Sequence, residues 1–123
     1  KELIRQKLFY HHKLGTFYNA VNDGNISLAN SLLNDIDINV KDEQGNIELT
    51  YAAQHNELKM VRFLLENGAD LNSQNKDGNT ALDKVVVNNN IEMVKLLLAN
   101  GADVNSQNEN GDTAFIRQLV MVI

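Results

Sequence analysis

Leu58, Val61, Leu64 and Leu65 fall at i, i+3, i+6 and i+7 of a short window. That spacing marks one face of a 3.6-residue period and predicts an amphipathic helix over roughly 58–66. Ile91, Val94, Leu97 and Leu98 draw the same face again and predict a second such helix over 91–99. A shorter apolar stretch precedes each, predicting first helices over roughly 49–55 and 82–88. Gly68 and Gly101 follow the longer helices, where a left-handed residue closes the last turn. The segments 72–78 and 105–111 are polar and carry the turn dipeptides Asp77-Gly78 and Asn110-Gly111. They predict projecting fingers shaped like β-hairpins.

The order helix, turn, helix, finger recurs with a fixed period. Gly45, Gly78 and Gly111 lie 33 residues apart. Gly68-Ala69-Asp70 returns as Gly101-Ala102-Asp103, and Asn72-Ser73-Gln74-Asn75 as Asn105-Ser106-Gln107-Asn108. Residues 45–77 and 78–110 are identical at 16 of 33 positions, far above chance. A degenerate earlier repeat is placed by pairing Ala20 with Ala52 and Leu32-Leu33 with Leu64-Leu65. Its segment 34–39 is one residue short and lacks the closing Gly, so Asn34 or Asp35 is expected to take the left-handed conformation. The pattern predicts an all-α solenoid of about 3.5 to 4 helix-turn-helix repeats in a single domain, 1–123. Repeat one covers about 15–44, repeat two 45–77, repeat three 78–110 and a partial repeat four 111–123. Residues 1–14 stand outside the repeat, and Leu3, Ile4, Leu8 and Phe9 predict a helix that covers its N-terminal edge.

The string Met60-Val61-Arg62-Phe63-Leu64-Leu65-Glu66-Asn67-Gly68-Ala69-Asp70-Leu71-Asn72 resembles the second half of an ankyrin repeat. So does Met93-Val94-Lys95-Leu96-Leu97-Leu98-Ala99-Asn100-Gly101-Ala102-Asp103-Val104-Asn105. The 33-residue period is the ankyrin one, and the resemblance spans about residues 15–123. The family opens its first helix with Thr-Pro-Leu-His, whose Thr and His brace the backbone. Here the corresponding residues are Ile47-Glu48-Leu49-Thr50, Thr80-Ala81-Leu82-Asp83 and Thr113-Ala114-Phe115-Ile116. No repeat keeps Pro or His, so this bracing is expected to be incomplete throughout. Val85-Val86 replaces the small pair Ala52-Ala53, which predicts helices pushed apart or shifted in repeat three.

A chain of 123 residues is the size of one domain. It contains no Cys, so disulfides, thiolate metal sites and cysteine nucleophiles are excluded. That composition fits an intracellular, cytoplasmic protein. The apolar runs are short, and none approaches the roughly 20 residues that cross a bilayer, so no membrane partner is expected. The N-terminus is too charged for a signal peptide, and without an initiator Met the chain reads as a fragment or a processed product. A net charge of −5 argues against nucleic acid. Lys1, Arg5, Lys7 and Lys13 against Glu2 give the first twenty residues a balance of +3, leaving −8 for the remainder. This is read as a solvated basic cap on an acidic body.

No catalytic constellation stands out. His11 and His12 project about 100° apart on a helix, a poor geometry for shared metal ligation, and His55 is distant in sequence. The pairs Asp35/Asp37 and Asp42/Glu43 fall in polar turns rather than a cleft that would shift a pKa. Ser27, Ser31, Ser73 and Ser106 have no Ser-His-Asp pattern, and glycines 33 residues apart form no phosphate loop. The chain is therefore expected not to be an enzyme and to hold neither metal nor cofactor. Asn is abundant, 19 of 123 residues, which turns tolerate well. The resemblance adds one modification: Leu64–Asn72 and Leu97–Asn105 match the spacing of hydroxylated Asn in animal ankyrin repeats, making Asn72 and Asn105 hydroxylation acceptors.

The resemblance implies a module that binds a protein or peptide partner through the groove formed by first helices and fingers. The contact positions it implies are Glu43, Gln44, Asn46, Gln54 and His55 in repeat two. In repeat three they are Lys76, Asp77, Asn79, Val87 and Asn88, and in repeat four Glu109, Asn110 and Asp112. The alternative is a regulatory or targeting fragment of a larger multidomain enzyme or host-directed effector. The last stretch, Phe115-Ile116-Arg117-Gln118-Leu119-Val120-Met121-Val122-Ile123, is apolar on every side and lacks its partner helix. It predicts either further repeats beyond the chain or edge-to-edge self-association.

Overall fold

The computed structural model describes residues 1–108, which are all-helical; no strand occurs among them. They divide into two compact parts, Lys1–Ile38 and the part that begins at Asn39.

The first part is built on α1, Glu2–Asn22, followed by α2, Ile26–Leu32, and one 3-10 turn, Leu33–Asp35. Helix α1 runs unbroken through residue 14, past the expected boundary between a leading helix and repeat one. Its two halves differ in burial. Leu14, Phe17, Ala20 and Val21 make a buried stripe at helical spacing. Leu3, Ile4, Leu8 and Phe9 are 63–66% exposed, so they do not serve as the covering layer expected of them. Lys13 lies 4.7 Å over the Phe9 ring and 3.4 Å from the Asp35 carboxylate, tying α1 to the 3-10 turn. Helix α2 starts at Asn25, whose Oδ1 accepts the Leu28 N–H at 3.2 Å. The expected left-handed residue at 34 or 35 is absent. With one residue fewer, the chain tightens into the 3-10 turn and leaves it extended at Ile36, φ −127 and ψ 150. The positive-φ residues other than Gly are Asn56 and Asn89 among the described residues.

The second part contains two helix pairs, α3 (Glu48–Gln54) with α4 (Leu58–Glu66), and α5 (Ala81–Val87) with α6 (Ile91–Ala99). The longer helices have the bounds read from the apolar period, and the shorter ones begin one residue earlier. Met60, Val61, Phe63 and Leu64 are buried on α4, and Met93, Val94 and Leu97 on α6. Leu65 and Leu98, expected in the same stripe, are only half-buried because they lie at its margin. Asn56 and Asn89, at φ 59 and 56, turn each first helix into its second, a conformation Asn tolerates better than most residues.

Helices α3 and α5 pack on each other, and Ala52, Ala53, Val85 and Val86 are all buried. The larger valines are thus accommodated within the core, where small and branched pairs on neighbouring helices together fill a layer. The bracing expected to be incomplete throughout is supplied in repeat three by other residues. Thr80 Oγ1 accepts the Asp83 N–H at 3.3 Å while the Asp83 carboxylate accepts the Thr80 N–H at 2.8 Å, a complete capping box. Asp83 supplies the polar contact for which the family uses His. In repeat two, Ile47 precedes α3 and no side chain caps it.

Candidate functional site

Among the described residues the fingers at 42–46 and 75–79 are tight turns and contain no strand. In repeat two, Asp42 Oδ1 accepts the N–H groups of Gln44 at 2.9 Å and Asn46 at 3.0 Å. One period later Asn75 Oδ1 accepts those of Asp77 and Asn79, both at 2.9 Å. Each turn is closed further by backbone bonds, Gly45 N–H to Asp42 O and Gly78 N–H to Asn75 O. A short polar side chain at this position is required because the turn leaves two N–H groups without another acceptor.

Side chains also join one finger to the next. Asn75 Nδ2 donates to Asn46 Oδ1 at 3.1 Å, and Asn108 Nδ2 to Asn79 Oδ1 at 2.8 Å. Asn39 Oδ1 accepts the Asp70 N–H at 2.7 Å, and Asn72 Oδ1 the Asp103 N–H at 2.8 Å. Lys41 Nζ reaches Gln74 O at 3.1 Å, and Gln74 Nε2 reaches Gln107 O at 3.2 Å. The Lys76 N–H donates to Gln44 O at 3.0 Å. The fingers approach so closely that a Cβ on Gly78, at φ +80, would stand 2.9 Å from Asn108 Cα, and one on Gly45 3.0 Å from the Lys76 nitrogen. Glycine is obligatory at both.

These bonds assign a role to much of the Asn content that turn tolerance alone left unexplained. The signal was in the sequence: Asp42, Asn75 and Asn108 share one repeat position, as do Asn39, Asn72 and Asn105, each set 33 residues apart. Periodicity alone does not say that an amide reaches a neighbouring repeat.

The contact positions implied by the resemblance fall into two groups. Asn46 is 7% exposed and Asn79 half-buried, and the Oδ1 of each accepts from the neighbouring finger. Glu43, Gln44, His55, Lys76, Asp77, Val87 and Asn88 are exposed, and Gln54 is half-buried. Val87 is 81% exposed at the end of α5, beside Asn88, whose Nδ2 donates to Gln54 O at 3.3 Å. Glu109, Asn110 and Asp112, and the apolar stretch 115–123, lie outside the described residues.

One titrating cluster supports the first finger. The Tyr51 hydroxyl donates to Asp42 Oδ2, and Asn46 Nδ2 donates to the Tyr51 oxygen at 3.3 Å. Partial removal from water pushes the Asp42 carboxyl up. Hydrogen bonds from Tyr51 and from the backbone of Asn46, Gln44 and Gly45 outweigh it and hold the group below its ordinary value. The bond to Asp42 pushes the Tyr51 hydroxyl up. Asp42 and Tyr51 thus act as a turn anchor. Among the described residues no three His, Asp or Glu side chains gather into a metal-binding group, and no helix is long and apolar enough to cross a membrane.

Comparison with known families matches residues 17–108 to ankyrin repeats in three copies. No curated protein matches the chain. Period, helix pairs, turn anchors and family match agree, and the chain belongs to the ankyrin-repeat family.

Proposed function

We propose that this chain binds a protein or peptide partner through the fingers and the adjoining ends of α3 and α5. Ankyrin repeats are generally protein–protein interaction modules, a fold used for contact rather than catalysis. The observation that carries the reading is a division within the repeats. Most positions that hold the fingers together stay Asn, Asp or Gly from repeat to repeat, Lys41 against Gln74 being the exception. Exposed positions beside them change: Glu43 against Lys76, Gln44 against Asp77, His55 against Asn88, and the half-buried Gln54 against the exposed Val87. A constant frame carrying unlike exposed side chains supports a recognition surface.

Val87 supplies the apolar anchor. Fully covering a valine contributes about 1.5–3 kcal/mol, and the exposed charges of Glu43, Lys76 and Asp77 on the fingers favour a partner of alternating charge. The proposed surface continues through Glu109, Asn110 and Asp112 in a fourth repeat, within a single repeat domain over 1–123. The module works without nucleic acid, membrane or cofactor, in the cytoplasm. Asn72 and Asn105 are its hydroxylation acceptors. Edge-to-edge pairing through 115–123 remains part of the proposal.

Charge reversal at Glu43, Lys76 and Glu109 together tests the reading in a pull-down from cell lysate. The triple variant is expected to keep its helical circular dichroism and lose the partners that the unaltered chain retains. Undiminished capture would move the site away from the fingers.

A further inference from the structure

We propose that Asn67 and Asn100 are spontaneous deamidation sites held closed by the fold, with Asn39 as the clamp over Asn67. Each precedes a glycine at the end of a second helix, Asn67-Gly68 after α4 and Asn100-Gly101 after α6. Asn-Gly is chemically the most reactive of such pairs, because the glycine nitrogen meets no side chain as it approaches the neighbouring amide. Both Asn residues are exposed, so water has access.

In the reaction the Gly68 backbone nitrogen forms a bond to Asn67 Cγ. The Cγ–Nδ2 bond breaks, and ammonia leaves with the proton given up by the Gly68 nitrogen. A cyclic imide remains, and water opens it at either carbonyl to give aspartate or its β-linked isomer. No redox partner is involved.

The folded geometry opposes each atom of that step. The leaving group is held, since Asn67 Nδ2 donates to Phe63 O at 2.8 Å. The attacking N–H is engaged with Leu65 O at 3.3 Å, and the next N–H, of Ala69, with Leu64 O at 2.9 Å. The Asn67 backbone sits at φ −108 and ψ 21, and ring closure must swing the Gly68 nitrogen away from that setting toward Cγ. Asn100 repeats the lock. Its Nδ2 donates to Leu96 O at 2.8 Å, Gly101 N–H to Leu98 O at 3.0 Å and Ala102 N–H to Leu97 O at 3.1 Å. Asn39 then fastens the first site from outside the helix pair. Its Nδ2 donates to Gly68 O at 3.1 Å and its Oδ1 accepts the Asp70 N–H at 2.7 Å, so both sides of the reacting turn are pinned.

Reaction therefore waits on local opening of the turn. Once formed, the product carries a carboxylate at a helix C-terminus, where the macrodipole is unfavourable to negative charge, and the donor to Phe63 O is gone. Each repeat keeps a covalent record of having opened.

Mass spectrometry of the intact chain aged at neutral pH, beside synthetic peptides spanning residues 62–71 and 95–104, tests this. The folded chain should deamidate at Asn67 and Asn100 at least about tenfold more slowly than the peptides, and at peptide rates in urea beyond the unfolding transition. Asn39→Ala should accelerate Asn67 several-fold and leave Asn100 unchanged. Should Asn39→Ala not fold, Asn39→Asp, which keeps the acceptor for Asp70 and loses the donor to Gly68, should also accelerate Asn67. Peptide-like rates in a chain with full helical circular dichroism would overturn the proposal. So would an Asn39 variant, folded by the same measure, that moves both sites equally or neither.

Discussion

Replacing Asn75 separates the two tasks assigned to the finger amides. Asn75→Ala removes the acceptor for the Asp77 and Asn79 N–H groups and the donor to Asn46 Oδ1. Each such bond contributes about 0.5–1.5 kcal/mol net, and stranding a buried acceptor costs about 1–3 kcal/mol. Asn46 is 7% exposed, so its oxygen falls near that second case. The expected loss is about 2–4 kcal/mol. Asn75→Asp keeps both turn bonds, as Asp42 does in the equivalent seat with N–H groups at 2.9 and 3.0 Å. It loses only the bond to Asn46, for about 1–2 kcal/mol. Urea titration followed by helical circular dichroism reads the difference. With a slope of about 1–3 kcal/mol per M, the alanine variant shifts the midpoint by about 1–2 M and the aspartate variant by roughly half that. No cost for the aspartate variant would refute the link between fingers, and equal costs for the two variants would refute the turn anchor. A loss below about 0.5 kcal/mol for alanine would refute the turn anchor as well.

Three further outcomes follow from the same contacts. Leu97 is fully buried on α6, so Leu97→Ala should cost about 2–5 kcal/mol in the same titration; an unchanged midpoint would contradict the stacked core. Thr80→Ala breaks the capping box of α5 and should cost about 1 kcal/mol, read as a lower midpoint, whereas Thr50→Ala would leave that cap intact. Because Asp42 titrates below its ordinary value of 3.8 when folded, the unfolded chain binds the proton more readily. Its contribution is present above that value and is lost as pH falls through the lower folded value, so Asp42→Asn should flatten part of the acid loss of stability.

The long helices were legible because α4 and α6 each carry a strong apolar face, and their bounds match the reading. Features that depend on a second segment were not. The run of α1 past Leu14 is marked by Leu14, Phe17, Ala20 and Val21 at helical spacing, but that stripe does not say that the helix is continuous with residues 2–13, and the 3-10 turn at Leu33–Asp35 follows from a missing residue whose effect two conformations could absorb. The bracing by Asp83 was hidden because a carboxylate stands where the family has an imidazole, although Thr80-Ala81-Leu82-Asp83 has the Thr and the acid three positions apart that a capping box needs. Among the candidate contacts, repeat position alone did not separate Asn46 and Asn79, committed to neighbouring fingers, from the exposed Lys76 and Val87. Within the fingers, the repeated Asn, Asp and Gly positions belong to the frame, whereas Glu43 against Lys76 and Gln44 against Asp77 are exposed and differ.

Amide hydrogen exchange of the chain, free and saturated with a partner captured in the pull-down, tests the binding surface most directly. The account predicts added protection over residues 42–46 and 75–79 and at the ends of α3 and α5, around His55 and Val87, with α4 and α6 unchanged. Protection confined to the exposed sides of α4 and α6, around Arg62, Glu92 and Lys95, would contradict it.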